Sequence, residues 1–508
     1  MSCVRFERQV ASTTVPASVS QSGDPTGRTW PRRRRRDVPA DNPPTAESTA
    51  GRQHPPPTSA TALADNDDDD TVVQASESMP TVTAAAVALT GVEAATGNPI
   101  IIPAWKRPFL ALEEPDFRNL WLGMLPSTFA MQMGMVATGY VAYDISGSAA
   151  AVGLVSLGSG VPMLLFGLWG GVVADRFPRR RTLLMTQTLI GSTALINAVL
   201  VISGLIEIWM LMLVAGLQGL GFAFNMPSRQ AFVAQLISRE RLLNAVALNN
   251  AGMNFARVVG PSLAGGLIGI KFVGPGGVYV VMCLLYAYVI MSLFRIPHPG
   301  IPNGGRNRPP PLKALGDGLG YVRRNAVVFT LLLLAFVPVL LGMPYQSLMP
   351  VFAEDVFNVG PSGLGLLLTL NGVGALIGSL AIAGMTGFRR RGLLQMSLGV
   401  GFGISVAAFA FSQSFLIACI TLPIIGLMSA GFQSLNSSLV MDNTEPEYHG
   451  RVMSVYMLTF SAMPLGVVPF GILTDHYGAP ITIGIGGVLL ALMIAMVGIV
   501  HPSYRHIR

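Results

Sequence analysis

One arginine stands deep in an apolar run. Arg257 lies about 14 residues into the stretch 244–269, roughly 21 Å along it if the stretch is helical. A guanidinium at that depth in a bilayer costs several kcal/mol unless a partner, water or a bound molecule satisfies it. Asn250 and Asn254 precede Arg257 on one helical face, and Pro261 follows. Two further runs carry polar stripes at this spacing: Thr128, Gln132, Gly139 and Tyr143 on the first, Gln218, Phe222, Asn225 and Arg229 on the fourth. Neutral amides, a phenol hydroxyl and one guanidinium hold an organic anion or a carbonyl-rich ligand better than a cation. Gln132, Tyr143, Gln218, Asn225, Asn250, Asn254 and Arg257 are therefore the candidate cavity residues. Arg257 also admits a purely structural reading, bound to helix carbonyls or to Asn and Gln side chains.

The second constellation is a charged hairpin between two apolar runs, made of Gly171, Asp175, Arg176, Arg179, Arg180 and Arg181. Arginines bunched at a bilayer mark the cytoplasmic side. Gly171 has no Cβ and is expected to let a neighbouring helix approach closely. Bond-making chemistry finds no foothold. HExxH, GxSxG and CxxC are absent, Cys3, Cys283 and Cys419 lie far apart, and the six histidines fall in loops and tails. The phosphate-cradling GxxxxGKS/T loop of an ATP-driven pump is missing as well. The sequence therefore predicts no enzyme, no metal and no cofactor.

Such residues need long apolar elements to hold them. The chain has 508 residues, 51% hydrophobic and 12% charged, with a mean hydropathy of +0.54. Soluble domains carry roughly 25% charged residues, so about half that share points to a membrane protein. Runs of about 20 apolar residues, enough to span a bilayer, are read at 119–143, 150–174, 182–203, 207–228, 244–269 and 276–295. After a break they continue at 327–352, 362–385, 393–411, 415–438, 452–474 and 479–500. Connections alternate in charge: nineteen Lys and Arg, Arg229 counted among them, fall on one side and Lys271 alone on the other. The positive-inside rule then puts both termini in the cytoplasm.

The two halves also echo each other. Arg179-Arg180-Arg181 before Leu183-Leu184 recurs as Arg389-Arg390-Arg391 before Leu393-Leu394, and Gly153-Leu154 as Gly363-Leu364. Gly260 and Gly265 recur as Gly466 and Gly471. The expectation is an all-α membrane protein with twelve transmembrane helices in two six-helix bundles, related as parallel repeats. Its domains are a disordered cytoplasmic tail (1–105, rich in Pro, Ala, Ser and Thr), a bundle (106–296), a cytoplasmic linker (297–324) with a short interfacial helix, and a second bundle (325–508). The net charge of +7 resides in the tail and the membrane loops, with no aromatic-interleaved basic groove. No nucleic-acid partner is expected; the partners are the lipid bilayer and a small molecule.

The order Gly171, Ala174, Asp175, Arg176, Arg179, Arg180 resembles the loop between the second and third helices of the major facilitator superfamily. Val173 stands where leucine is usual and Pro178 where glycine is usual. The resemblance implies that Asp175 and the basic residues gate the inner side of a transporter. Gly260-Pro261, with Ala247, Ala256, Ala264 and Gly265, is similar to the fifth-helix motif of the superfamily's drug–proton antiporters, with alanine at three of its glycine positions. Close helix packing and a proline kink account for the same residues. Tyr143-Asp144-Ile145-Ser146-Gly147-Ser148, Val152-Gly153-Leu154, and Gly318 through Arg324 resemble the branch containing the enterobactin exporter and related efflux proteins. What the resemblance implies is alternating access in a monomer of the cell membrane, driven by an ion gradient, that of protons, and exporting a small apolar or amphipathic molecule. An importer and a non-transporting sensor of the same fold are the alternatives. No carboxylate stands mid-span, so a proton carrier would have to come from the span ends, where Asp144, Glu207, Glu354, Asp355 and Asp475 lie.

Overall fold

The computed structural model describes residues 107–301, 311–385, 388 and 390–500. The expected tail 1–105, linker residues 302–310, Arg389 of the repeat and residues 501–508 lie outside the described residues. Every regular element among those described is helical. In chain order the helices are α1 (Pro115–Ser146), α2 (Ala149–Arg176), α3 (Arg179–Ile202), α4 (Ile208–Leu236), α5 (Arg239–Gly269) and α6 (Gly274–Phe294). There follow α7 (Pro311–Arg324), α8 (Ala326–Leu341), α9 (Gly360–Gly384), α10 (Arg391–Phe411), α11 (Phe415–Asp442), α12 (His449–Ser461), α13 (Met463–Tyr477) and α14 (Ala479–Val500).

Local chemistry sets the helix ends. Pro115 opens α1, where a missing N–H is no loss. The Asn325 side chain caps α8 by accepting from Val327 N at 3.1 Å and Val328 N at 3.2 Å. α1 stops at Gly147, whose φ of 60° suits a residue without Cβ. Each expected apolar run coincides with a helix or with a broken pair. The breaks come after α8, at Gly342 to Pro344, and between α12 and α13, at Ala462 to Pro464.

Ten helices among the described residues are long and apolar enough to cross a membrane. α1 and α5, at 32 and 31 residues, have the length but not the hydropathy, because the polar stripes dilute them. Leu195, Leu284, Leu416 and Ile499 are all more than half exposed, an apolar surface that suits lipid. α4 runs on to Leu236, so Arg229 belongs inside a helix rather than in the connection where the charge count had it. α7, the expected linker helix, docks on α12: Tyr321 stacks on Tyr448 with ring centroids 4.4 Å apart.

One packing plan serves both halves. α2 lies along α4 and α3 along α6 in the first six helices; α9 lies along α11 and α10 along α14 in the second set. Two seams join the halves, α2 against α13 and α5 against α9. Small residues let their backbones meet. A Cβ added to Gly265 would lie 2.6 Å from the Gly365 Cα, and one on Gly153 would lie 3.0 Å from the Val468 Cα. Gly139 of α1 faces Pro350 across the same end of the molecule. These contacts gather toward the end that carries Asp475. Toward the opposite end, which carries Arg176 and the hairpin arginines, an added Cβ on Gly167, Gly171 or Gly450 would meet nothing within 4 Å. The closest contacts between the halves therefore lie toward the Asp475 end, while at the arginine-rich end α2 touches α7.

Candidate functional site

The hairpin divides into anchors and exposed charges. Arg179 donates from Nε to the Ala174 carbonyl (3.3 Å) and from Nη1 to the Ala231 carbonyl (3.1 Å). Arg180 donates from Nε to Leu293 O and from Nη2 to Phe294 O, both at 3.0 Å, and so caps the last turn of α6. These two arginines hold helix ends together, which differs from a purely gating role. Asp175, Arg176 and Arg181 are exposed at the arginine-rich end. The close approach expected at Gly171 falls one residue earlier. A Cβ on Gly170 would run into the Ala223 carbonyl oxygen of α4, whereas one on Gly171 meets nothing.

The stripes divide as well. Asn225 is 3% exposed and donates from Nδ2 to Thr186 Oγ1 at 2.9 Å, pinning α4 to α3. The buried pair Gln395 and Asn436 makes the matching link between α10 and α11. Asn225 is thus a bundle pin and not a cavity residue. Tyr143 also leaves the cavity: its hydroxyl donates to Asp355 Oδ2 at the closed end. Thr128 bonds back to the Met124 carbonyl of its own helix (2.9 Å). Gln132 and Gln218 are half-buried; Gln132 packs on Gly260 of α5, where an added Cβ would lie 2.6 Å from its Cβ. Arg229 is 7% exposed, contacts Met226 Sδ at 3.9 Å, and leaves Nε without a partner among the described residues. Beside it a cavity of about 10 Å³, lined by Leu120, Met124, Leu183 and Gln187, has room for about one water.

Asn250, Asn254 and Arg257 stay together on α5, with Asn250 and Arg257 exposed and Asn254 half-buried. Arg257 has no hydrogen bond or ion pair among the described residues, yet it lies within electrostatic reach of Tyr345. Its own backbone is part of the seam: a Cβ on Gly372 of α9 would lie 2.8 Å from the Arg257 carbonyl oxygen. Gly260, Pro261 and Gly265 serve this packing, Gly260 toward α1 and Gly265 toward α9, and α5 is a continuous helix through Pro261.

Tyr345, within reach of Arg257 from the second half, and its partners Gln346 and Asn371 escaped the sequence reading. Tyr345 Oη accepts from Asn371 Nδ2 at 2.7 Å and from Gln346 Nε2 at 3.2 Å, and Asn371 and Gln346 also meet each other. Phe402 and Phe409 of α10 wall the Tyr345 ring, each with a centroid 6.4 Å away. The signal that could have found them is the interruption of the seventh run by Pro338, Gly342 and Pro344, since broken helices mark transporter binding sites. Tyr345 and Asn371 are buried, at 1% and 7% exposure, so the polar groups with exposure here are Arg257 of the first half and the half-buried Gln346 of the second. Among the described residues no group of His, Cys, Asp and Glu could hold a metal ion.

Residues 106–503 match the model of one protein family, the transmembrane secretion effectors. The chain is 24% identical over 395 residues to macrolide efflux protein A of Streptococcus pyogenes, covering 77% of this chain and 96% of that protein. It is 24% identical over 347 residues to the enterobactin exporter EntS of Shigella boydii, covering 67% of this chain and 81% of the exporter. Among solved structures, a bacterial homologue of the human lysosomal transporter Spinster, inward-facing and unoccupied, matches with a TM-score of 0.58 at 14% identity. That match covers 77% of this chain and 96% of the other, and it shows the fold alone. The chain belongs to the transmembrane secretion effector family and is a multi-pass membrane transporter of the major facilitator fold.

Proposed function

We propose that this transporter exports a small amphipathic molecule rich in hydrogen-bond acceptors, or an organic anion, from the cytoplasm across the cell membrane. The observation that carries this reading is Arg257, exposed in the cleft and unpaired among the described residues, opposite Tyr345, Gln346 and Asn371. A cation with no carboxylate partner favours ligands that bring their own negative charge or carbonyl groups. Macrolide efflux protein A and the enterobactin exporter, whose names denote export, support the direction. α1 and α5 join the ten apolar helices to make twelve spans in two six-helix groups. The split of nineteen Lys and Arg against one puts the arginine-rich end and both termini in the cytoplasm, with Arg229 in the part of α4 that runs toward that end. The closed Asp475 end is then the outer one, and the cleft opens inward. The protein works as a monomer, without a cofactor, on an ion gradient that we take to be that of protons.

Everted membrane vesicles energised with a proton gradient test this reading. A carboxylate dye and its methyl ester should both accumulate in everted vesicles and not in right-side-out ones. Arg257→Gln keeps a hydrogen-bonding side chain and removes the charge. It exchanges a charge-assisted bond for a neutral one, a loss of about 1 kcal/mol, and should weaken the carboxylate roughly fivefold while sparing the ester. Accumulation confined to right-side-out vesicles overturns export. Equal loss for both dyes, with lower thermal stability, returns Arg257 to a structural role.

A further inference from the structure

The hairpin motif has an echo that the transport reading leaves unused. Gly171-Val172-Val173-Ala174-Asp175-Arg176-Phe177 ends α2, and Gly471-Ile472-Leu473-Thr474-Asp475-His476-Tyr477 ends α13, at an offset of 300 (475 − 175). Glycine, a small residue, aspartate and an aromatic ring recur in register. The two helices run antiparallel: Gly153 of α2 meets Val467 and Val468, while Gly160, further along, meets Pro464. Their two motifs therefore lie at opposite ends of the molecule.

Asp475 is fully engaged at its end. Its Oδ1 accepts from Ala149 N at 2.6 Å, and its Oδ2 accepts from Ala150 N at 3.1 Å and from Ser148 Oγ at 2.5 Å. Ser148 Oγ in turn accepts from Ala151 N at 3.3 Å. Three of the four orphan N–H groups of α2 are thus satisfied, two of them by a carboxylate from the other half, placed at the positive end of the helix dipole. Gly471 completes the contact, since a Cβ there would lie 2.6 Å from the Ala149 carbonyl oxygen and 2.9 Å from the Ala150 Cα. Its counterpart Gly171 meets nothing.

We propose that Asp475 is a second gating carboxylate, which holds the closed end shut by capping the first turn of α2. The offset of 300 carries Ser148, Ala149 and Ala150 onto Tyr448, His449 and Gly450, the first turn of α12. An added Cβ on Gly450 has open space, as on Gly171. One antiparallel helix pair thus carries a carboxylate and a helix N-terminus at each end, and at the Asp475 end the carboxylate caps the helix directly. Parting that end takes Asp475 away from α2, so the latch biases the two states without being needed inside either half.

Spin-label distances on the purified full-length protein in nanodiscs, with Cys3, Cys283 and Cys419 replaced, test the latch. Ile145→Cys with Ile481→Cys reports the Asp475 end, and Ser238→Cys with Glu447→Cys reports the other; all four positions are exposed. Asp475→Ala should move the closed-to-open ratio of the first pair about fivefold toward long distances, and the second pair toward short ones. Asp475→Asn, whose amide oxygen still caps, should shift less, and Ser148→Ala should shift in the same direction as alanine. Unchanged distances in a folded Asp475→Ala protein overturn the proposal, as does a lower melting temperature with the same distance distribution. Should Asp475→Ala fail to fold, unchanged distances in both Asp475→Asn and Ser148→Ala sink it equally.

Discussion

Gly265→Ala should pry the closed end apart. The added methyl would lie 2.6 Å from both the Gly365 Cα and the Pro361 carbonyl oxygen, and 2.8 Å from the Gly365 N. All three are backbone atoms, so no flexible side chain can swing away, and α5 and α9 must separate. Overpacking of this kind costs about 1–3 kcal/mol. The cost falls on a contact between the halves and not on either half, so it weighs against the closed end alone. A factor of roughly 5 to 150 in the closed-to-open ratio follows. Gly266→Ala, one residue on, is the control, because its Cβ meets nothing within 4 Å. Alanine there gains up to about 1 kcal/mol of helix propensity in both states alike. Distance measurements across the closed end should show a large shift for Gly265→Ala and none for Gly266→Ala. Matching distributions in the two variants would falsify the claim that the Gly265–Gly365 contact holds that end.

Gly170→Ala should lower the melting temperature or the yield, because its methyl meets the Ala223 carbonyl within the first six helices, while Gly171→Ala should melt as the native protein does; the reverse order would show that the rotation of α2 is misread. Burial first, then Asp144 and Asp355, pushes the Glu354 carboxyl above the ordinary carboxylate range. The closed end disfavours ionised Glu354, so closing takes up protons and this end should hold more firmly as pH falls through the window just above ordinary carboxylate values. Glu354→Gln should flatten that dependence, and a native closed-to-open ratio already flat across the window would dismiss it.

The spans were legible because an apolar run and its length are local properties, and the charge alternation added orientation without any knowledge of packing. What a stripe cannot say is which neighbour it faces. Asn225 and Asn254 both recur at helical spacing, yet the first is sealed against Thr186 and the second lies beside the cleft. Spacing reports one face of a helix, and in a bundle that face can meet either a sister helix or the cavity. Gly170 and Gly171 differ only by a rotation of about 100° about the axis of α2, which no composition reveals. Tyr143 was misplaced because the stripe continues past the cavity to the helix end, where Asp355 waits. Arg229 was misplaced because a helix need not stop where the membrane does. Tyr345, Gln346 and Asn371 formed no stripe, since the chain breaks after α8 and periodicity is lost there.

The seam itself indicates what a bound molecule must do to leave at the Asp475 end. From Arg257 outward, α5 and α9 meet in sequence at Arg257 and Gly372, at Ser262 and Thr369, at Gly265 and Gly365, and at Gly269 and Ser362. Each meeting is a backbone contact, a small side-chain contact or a single hydroxyl hydrogen bond, and no ion pair is found along it among the described residues. Such a seam is short-ranged, so it resists sliding while parting at modest cost once the helices move apart. The charged ties lie elsewhere, at Asp475 on α2 and at Asp355 on Tyr143, beyond the end of the seam. Arg257 belongs to the first half and Tyr345, Gln346 and Asn371 to the second, so a ligand that bridges them contributes free energy where the seam begins. It can shift the balance between states only by the difference in its affinity for them. A ligand held by both halves favours whichever state brings Arg257 and Tyr345 together, and its release requires the same separation that opens the seam. On the proposed function, recognition and gating thus share Arg257, whose carbonyl rests on Gly372.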